Sequence, residues 1–159
     1  MLIKRLILPK LPNELVEDVY KTINTGNNVA LDGPNVRLTD DFGSYYTWYK
    51  PSDQLQKWCQ KNISPDIFFG IQMIVEKMPM HKDFGPTPDS RTELKFNYII
   101  ETGGDAVVTN YYTDSAELIE SHILEPNIWY IINVRVNHDV QNIDSGKRRV
   151  AITGRILPS

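Results

Sequence analysis

The chain has 159 residues, enough for one domain with a substantial core but too few for two independent lobes. Its formal net charge of −3 shows no basic surplus, which argues against a general electrostatic grip on nucleic acid. The single cysteine, Cys59, excludes an intramolecular disulfide framework and fits a reducing compartment.

The N-terminal segment has short apolar runs that are interrupted by Lys4 and Arg5. These runs are too short and too charged for a membrane span, and they lack the apolar centre of a secretory signal. We therefore predict a first strand over residues 2–8 and a soluble, cytoplasmic protein.

Two amphipathic helices are predicted in the first third of the chain. Apolar residues recur at helical spacing over residues 13–24, at Leu15, Val16, Val19 and Ile23. Ser52 is a typical N-cap for a second helix over residues 53–61. Cys59 continues the apolar face of that helix, so we expect a buried structural thiol. The aromatic stretch at residues 45–49 lies in a loop-rich region and is interpreted as a core edge or, alternatively, a substrate lid.

Beyond Pro65 the sequence changes to short β-branched and aromatic runs separated by Gly, Pro, Asn and Asp. Strands are predicted over residues 67–77, 94–101, 106–112, 119–124, 129–136 and 149–157. Many strands without intervening helices favour antiparallel sheets with the two helices on one outer face. The prediction is a mainly β (α+β) fold, a sandwich or jelly-roll barrel. It forms one domain over residues 1–159, with a helical N-terminal support (1–65) and a metal-binding barrel (66–159).

Three residues form a candidate metal site. In an extended segment, residues i and i+2 point to the same side, so His81 and Asp83 can bind one ion. His138, just beyond a strongly strand-like run, would supply the third ligand from a different strand; the alternative is that it is a polar hairpin residue. Two histidines and one carboxylate with open coordination positions form the site that non-haem Fe(II) oxygenases use. The third histidine, His122, is interpreted as a surface or core-edge residue.

The C-terminal half resembles the Fe(II)- and 2-oxoglutarate-dependent oxygenase superfamily. The resemblance rests on the HKD sequence at 81–83, HDVQN at 138–142 and RVAIT at 149–153. The tail is most similar to prolyl-hydroxylase-type members. The middle, with KFNYII at 95–100, is similar to small phage-encoded or aspartyl/asparaginyl-hydroxylase-like members. The resemblance implies a double-stranded β-helix (jelly-roll) fold.

It also implies the cofactors and their ligands. Fe(II) would bind to His81, Asp83 and His138, with O2 and 2-oxoglutarate as co-substrates. An arginine fork would hold the far carboxylate of 2-oxoglutarate by two parallel hydrogen bonds. Thr153 and Asn97 are the other candidate contacts. The implied reaction hydroxylates an unactivated C–H bond and releases succinate and CO2.

Two neighbouring arginines compete for the anchoring role. Arg149 shares a strand face with Ala151 and Thr153, which leave room for a ligand. Arg148 shares the other face with Val150 and Ile152, which would pack under the helices. If that apolar face lined the barrel instead, Arg148 would be the anchor. We favour Arg149, and we assign no role to Arg155.

Other functions stay open at this stage. The triad is compatible with a cupin-like metal enzyme that does not use 2-oxoglutarate, or with a non-catalytic binding or virion-associated module. For an enzyme, the resemblance suggests a small molecule or an amino-acid or peptidyl (prolyl or asparaginyl) side chain as substrate. The polar loop over residues 84–91 is the predicted substrate cover.

Overall fold

A computed structural model describes residues 2–25, 45–83 and 94–156 of the chain. These residues form two helices and ten strands. The helices are α1 (Asn13–Asn24) and α2 (Asp53–Asn62). The strands are β1 (Ile3–Arg5), β2 (Tyr46–Tyr49), β3 (Phe69–Val75), β4 (Met78–His81), β5 (Leu94–Glu101), β6 (Val108–Tyr112), β7 (Leu118–His122), β8 (Trp129–Asn133), β9 (Asn137–Gln141) and β10 (Arg148–Ile156).

The strands form two antiparallel sheets. The major sheet has six strands in the order β1-β8-β5-β10-β3-β2, and the minor sheet has four in the order β4-β9-β6-β7. From β3 onward the chain passes repeatedly from one sheet to the other, which is the connectivity of a jelly roll. The predicted fold class is therefore confirmed, and the space between the sheets is where a site can form.

Both helices cover the outer face of the major sheet, as predicted. Val19 of α1 and Leu55 of α2 are fully buried against Ile71, Val150 and Ile152 in one apolar cluster. The N-cap prediction for α2 is confirmed, because the Ser52 hydroxyl accepts a hydrogen bond from the Leu55 amide at 3.1 Å. Burial of the apolar faces of the two helices stabilises their packing on the major sheet.

Cys59 lies in the same cluster with no exposed surface. Burial raises the pKa of its thiol to about 12, so the thiol stays protonated and unreactive at neutral pH. The prediction of a buried structural cysteine is confirmed.

The first strand is shorter than predicted. Ile3–Arg5 pairs with β8, with one further backbone hydrogen bond at each end from Leu2 and Leu6, and the chain then reaches Pro9, which cannot donate to a ladder. Side chains hold the following segment instead. Trp129 donates its indole N–H to the Pro9 carbonyl at 3.0 Å, and the Tyr98 hydroxyl accepts from the Leu11 amide at 3.2 Å.

The loop predicted around residues 45–49 is wrong, whereas the core-edge interpretation of its aromatic residues is confirmed. Tyr46–Tyr49 is an edge strand that pairs with β3. The aromatic and β-branched residues that suggested a lid are those that fit a half-buried strand. Tyr49 is buried in the apolar cluster under the helices. Trp48 points to the opposite face of the sheet, where its indole ring lies over Gly70.

Two short strands lie outside the predicted strand ranges. Met78–His81 is a separate strand, and Asn137–Gln141 carries His138, which confirms that this ligand comes from a different strand. The four-residue sequence MPMH contains Pro79, which weakens a strand signal, and NHDVQ is mostly polar and lacks apolar alternation. Each of these strands carries a candidate metal-binding histidine, so its sequence reflects the site as well as the usual strand pattern.

Among the residues that the structure describes, no helix is long and apolar enough to span a membrane.

Gly70 provides the space that Trp48 occupies. A Cβ atom at this position would come within 1.9 Å of the indole ring. We expect Gly70→Ala to lower the free energy of unfolding by about 1–3 kcal/mol, the usual cost of overpacking, as measured by urea denaturation. In a Trp48→Leu background the same substitution should cost much less. An equal cost in both backgrounds would contradict this explanation.

Candidate metal centre

Neighbouring strands of the minor sheet bring the predicted ligands together. His81 ends β4 and lies opposite His138 of β9 in the strand register. Their ring centroids are 4.3 Å apart. Asp83 follows two residues after His81, and its amide donates to the Val134 carbonyl at 2.8 Å, which fixes the backbone at the end of β4. The predicted triad therefore converges at one point between the sheets.

Both histidine rings are oriented in the same way. The Nδ1 atom of His81 lies 2.7 Å from the Pro79 carbonyl oxygen, and Nδ1 of His138 lies 2.7 Å from the Val136 carbonyl oxygen. A carbonyl only accepts, so each Nδ1 carries the proton and each Nε2 has its lone pair available. A backbone hydrogen bond of this kind is how proteins orient a metal-binding imidazole.

The ligand atoms fit a single metal ion. Oδ1 of Asp83 is 3.1 Å from Nε2 of His81 and 3.7 Å from Nε2 of His138. All three ligand atoms lie within 4.8 Å of one another. Adjacent ligands on an octahedral ion stand about 3 Å apart when each bond is about 2.1 Å. The donor set and its spacing therefore suit a divalent ion with open positions, such as Fe(II).

The protonation states also suit a metal site. Burial, together with the neighbouring His81, lowers the pKa of His138 to about 4, so its imidazole is neutral at neutral pH. Burial alone would raise the pKa of Asp83, but the ammonium of Lys95 and the facing rings of His81 and His138 hold that pKa below its ordinary value. A neutral imidazole and an ionised carboxylate are the forms that bind metal.

Arg149 lies on the inner face of the major sheet. Its Nη1 donates to Oγ1 of Thr109 in the minor sheet at 3.2 Å, and its Nε donates to the Thr102 carbonyl at 3.3 Å. The side chain is buried, and burial lowers its pKa to about 10, which leaves the guanidinium charged at neutral pH. Within the described residues no carboxylate forms an ion pair with it.

Arg148 lies on the other side of the sheet. Its guanidinium is 5.7 Å from the centroid of the Tyr20 ring on α1, and its Nε is 3.6 Å from a carboxylate oxygen of Glu101. Val150 and Ile152, which share its face, pack under the helices. Of the two arginines, only Arg149 points into the space between the sheets.

Three buried polar atoms in the described part of the chain have no hydrogen-bond partner. They are Nη2 of Arg149, Oγ1 of Thr153 and Oδ1 of Asn97. Thr153 and Asn97 are partners in the register of β10 and β5, so both face the same inner space as Arg149. Buried polar atoms are nearly always paired, so three unpaired ones on this inner face need a polar partner such as water or a ligand.

Lys95 is a site residue that the sequence analysis missed. Its ammonium forms a close ion pair with Oδ2 of Asp83, from β5 of the opposite sheet. Arg155 was assigned no role, because it was expected to lie too far from the metal. It is the register partner of Lys95 and therefore lies near the metal end of the space between the sheets. A contact between residues on different sheets has no local sequence signal, so only the fold reveals it.

Other predictions have mixed outcomes. His122 is a half-exposed residue outside the triad, as expected, and its Nε2 lies 2.8 Å from a carboxylate oxygen of Glu120. Tyr111 is a buried core residue whose ring centroid is 5.9 Å from that of His138. The predicted substrate cover over residues 84–91 lies outside the described residues.

By sequence, the chain matches no protein-family model and no curated protein. By structure, it is similar to a Pseudomonas putida prolyl-4-hydroxylase, with a TM-score of 0.56 and 14% identity over 98% of this chain and 92% of that chain. This likeness shows a shared jelly-roll fold, as the sequence resemblance implied.

Two larger proteins share less. A Burkholderia pseudomallei oxidoreductase of the 2OG-Fe(II) oxygenase family gives a TM-score of 0.45 at 11% identity over 65% of this chain, and hydroxypropylphosphonic acid epoxidase from S. wedmorenis gives 0.46 at 10% over 79%. The alignments span 51% and 56% of those proteins. What the comparisons show for this chain is the jelly-roll fold, and the structure adds to it a candidate metal site of two histidines and one carboxylate.

We expect His138→Ala to weaken Co(II) binding by more than about 100-fold, because loss of even an outer-shell partner typically costs about 10- to 100-fold. Isothermal titration calorimetry with Co(II) measures the effect, and circular dichroism checks the fold. His122→Ala is the matched control, since it removes a histidine outside the triad. Equal losses in both variants would exclude the triad as the binding site.

Proposed function

We propose that the protein is an Fe(II)- and 2-oxoglutarate-dependent dioxygenase. It hydroxylates an unactivated C–H bond with release of succinate and CO2. The observation that carries the proposal is that the three unpaired buried polar atoms share the inner space with a complete two-histidine, one-carboxylate triad.

The residues divide the task between a metal end and an anchoring end. His81, Asp83 and His138 would hold Fe(II). Arg149 and Thr153 would hold the far carboxylate of 2-oxoglutarate. Bound Fe(II) would supply the redox chemistry, by which one oxygen atom of O2 would enter succinate as the keto acid loses CO2 and the other would convert the substrate C–H to C–OH.

The charge on Arg149 is the strongest support for an acidic co-substrate. An unpaired buried cation is costly, and a carboxylate that arrives there supplies the missing counter-charge. The guanidinium already donates two hydrogen bonds to the protein, which fixes its plane, while Nη2 remains for the ligand. A hydroxyl at Thr153 adds a donor that is equally unpaired. Asn97 stands beside Thr153, where its amide would line the same pocket.

An enzyme with the same triad but without 2-oxoglutarate is the second candidate. Such an enzyme has no need of a distal carboxylate anchor, so the buried Arg149 argues against it. A non-catalytic module would need neither the anchor nor two histidines oriented with Nε2 toward one carboxylate.

For the substrate, we propose a small molecule or an amino-acid or peptidyl side chain, with proline and asparagine as the first residues to test. The likeness to a prolyl-4-hydroxylase supports this choice only at the level of the fold. We do not expect nucleic acid as a substrate, because the chain carries 17 basic and 20 acidic residues and no basic surplus.

The first experiment is an anaerobic titration of the apoprotein with Fe(II) and then 2-oxoglutarate. We expect the weak visible metal-to-ligand charge-transfer band of a chelated keto acid. The keto acid should also raise the unfolding temperature, because it binds only the folded state. Iron binding without the band would favour the second candidate, and failure to bind metal would favour the non-catalytic module.

Arg149→Met tests the anchor. A charge-assisted hydrogen bond contributes about 1.5–3 kcal/mol, so 2-oxoglutarate should bind about 10- to 150-fold more weakly in the same titration. The ligand-free variant should keep or raise its unfolding temperature, because a poorly paired buried cation has been removed. Arg148→Met is the control and should bind 2-oxoglutarate normally. If Arg148→Met bound 2-oxoglutarate weakly and Arg149→Met bound it normally, the assignment of the anchor to Arg149 would be wrong.

A further inference from the structure

The two oxygen atoms of Asp83 face different partners. Oδ1 is directed at the imidazole nitrogens of His81 and His138, at 3.1 and 3.7 Å. Oδ2 is in close contact with the ammonium of Lys95. The oxygen on the metal side and the oxygen on the lysine side are therefore distinct.

Lys95 is held in this position by the fold. Its side chain is 13% exposed, and it extends from β5 of the major sheet across to the end of β4 in the minor sheet. A lysine buried to this degree requires a charged partner. Its register partner on β10 is another cation, Arg155, which makes an anionic contact still more necessary.

The neighbouring lysine shows that this contact is specific. Lys82 directly precedes Asp83 in the sequence, yet its ammonium pairs with the exposed Asp114 at 2.6 Å. Of these two lysines, only the one that comes from the opposite sheet contacts the Asp83 carboxylate.

We propose that Lys95 is a positioning residue that occupies Oδ2 of Asp83 and restricts this carboxylate to a single bond to the metal. The inference rests on the proposed function. Carboxylates bind metals through one oxygen or through two. Two imidazoles and one oxygen leave three of six octahedral positions open, which a two-atom chelating co-substrate and O2 require together. A second bond from Asp83 would leave only two.

Removing the ammonium should therefore change how many positions are open. Lys95→Met keeps the length and apolar stem of the side chain but leaves Oδ2 able to reach the metal. Lys95→Arg keeps a cationic donor. Lys82→Met removes a lysine of the same charge, one residue from Asp83, that does not contact the carboxylate, so it is the matched control.

The test is to load each protein with Mn(II) and to count the exchanging water molecules on the metal by water-proton relaxation, without 2-oxoglutarate. We expect about three waters in the wild type, Lys95→Arg and Lys82→Met, and about two in Lys95→Met. The unfolding temperature of each apoprotein checks the fold. This readout does not depend on turnover.

Three outcomes would overturn the inference. An unchanged water count in Lys95→Met would show that Lys95 does not control the bonding of Asp83. An unchanged count with weaker 2-oxoglutarate binding would make Lys95 an anion-binding residue instead. Loss of Mn(II) binding in Lys95→Met alone would make it a residue that assembles the site. If the wild type itself bound no metal, the proposed function would fail, and that result differs from all three.

Discussion

The alternation of side chains along β10 is the constraint on which both the core and the site depend. Val150 and Ile152 project outward into the cluster under the helices, while Arg149 and Thr153 project into the space between the sheets. A strand has a period of two, so a shift of one residue would place both arginines on the wrong faces. Burial of the apolar face thus fixes the register of β10, and this register places Arg149 and Thr153 on the face that lies toward the candidate site.

Polar contacts cross the inner space beside apolar packing, in which Ile74 of the major sheet meets Met78 and Val140 of the minor sheet. Asp83 and Lys95 join the two sheets at the metal end, and Arg149 joins them through Thr109 farther inside. Each contact connects the major sheet to the minor sheet, so the residues proposed to bind ligands also connect the two sheets. The arrangement is pre-formed, which reduces the conformational cost of binding.

Much of this could be predicted from the sequence, and the rest has identifiable physical reasons. The spacing of His81 and Asp83, the helical periodicity of α1 and the alternation around Arg149 are local patterns, so they were readable. The strand at Tyr46–Tyr49 and those that carry His81 and His138 lie outside the predicted strand ranges because they are short or polar. Lys95 was missed because its importance arises only when two sheets meet.

The position of β10 also bears on how the protein is made. It is the last of the described strands in the chain, yet it lies in the middle of the major sheet, between β3 and β5. During synthesis those two strands must wait with unpaired edges until β10 emerges, and such edges favour association between chains. The strand that carries Arg149 is therefore also the one that completes the major sheet. Its pairing places Arg149 between the sheets and at the same time covers the two unpaired edges that favour aggregation.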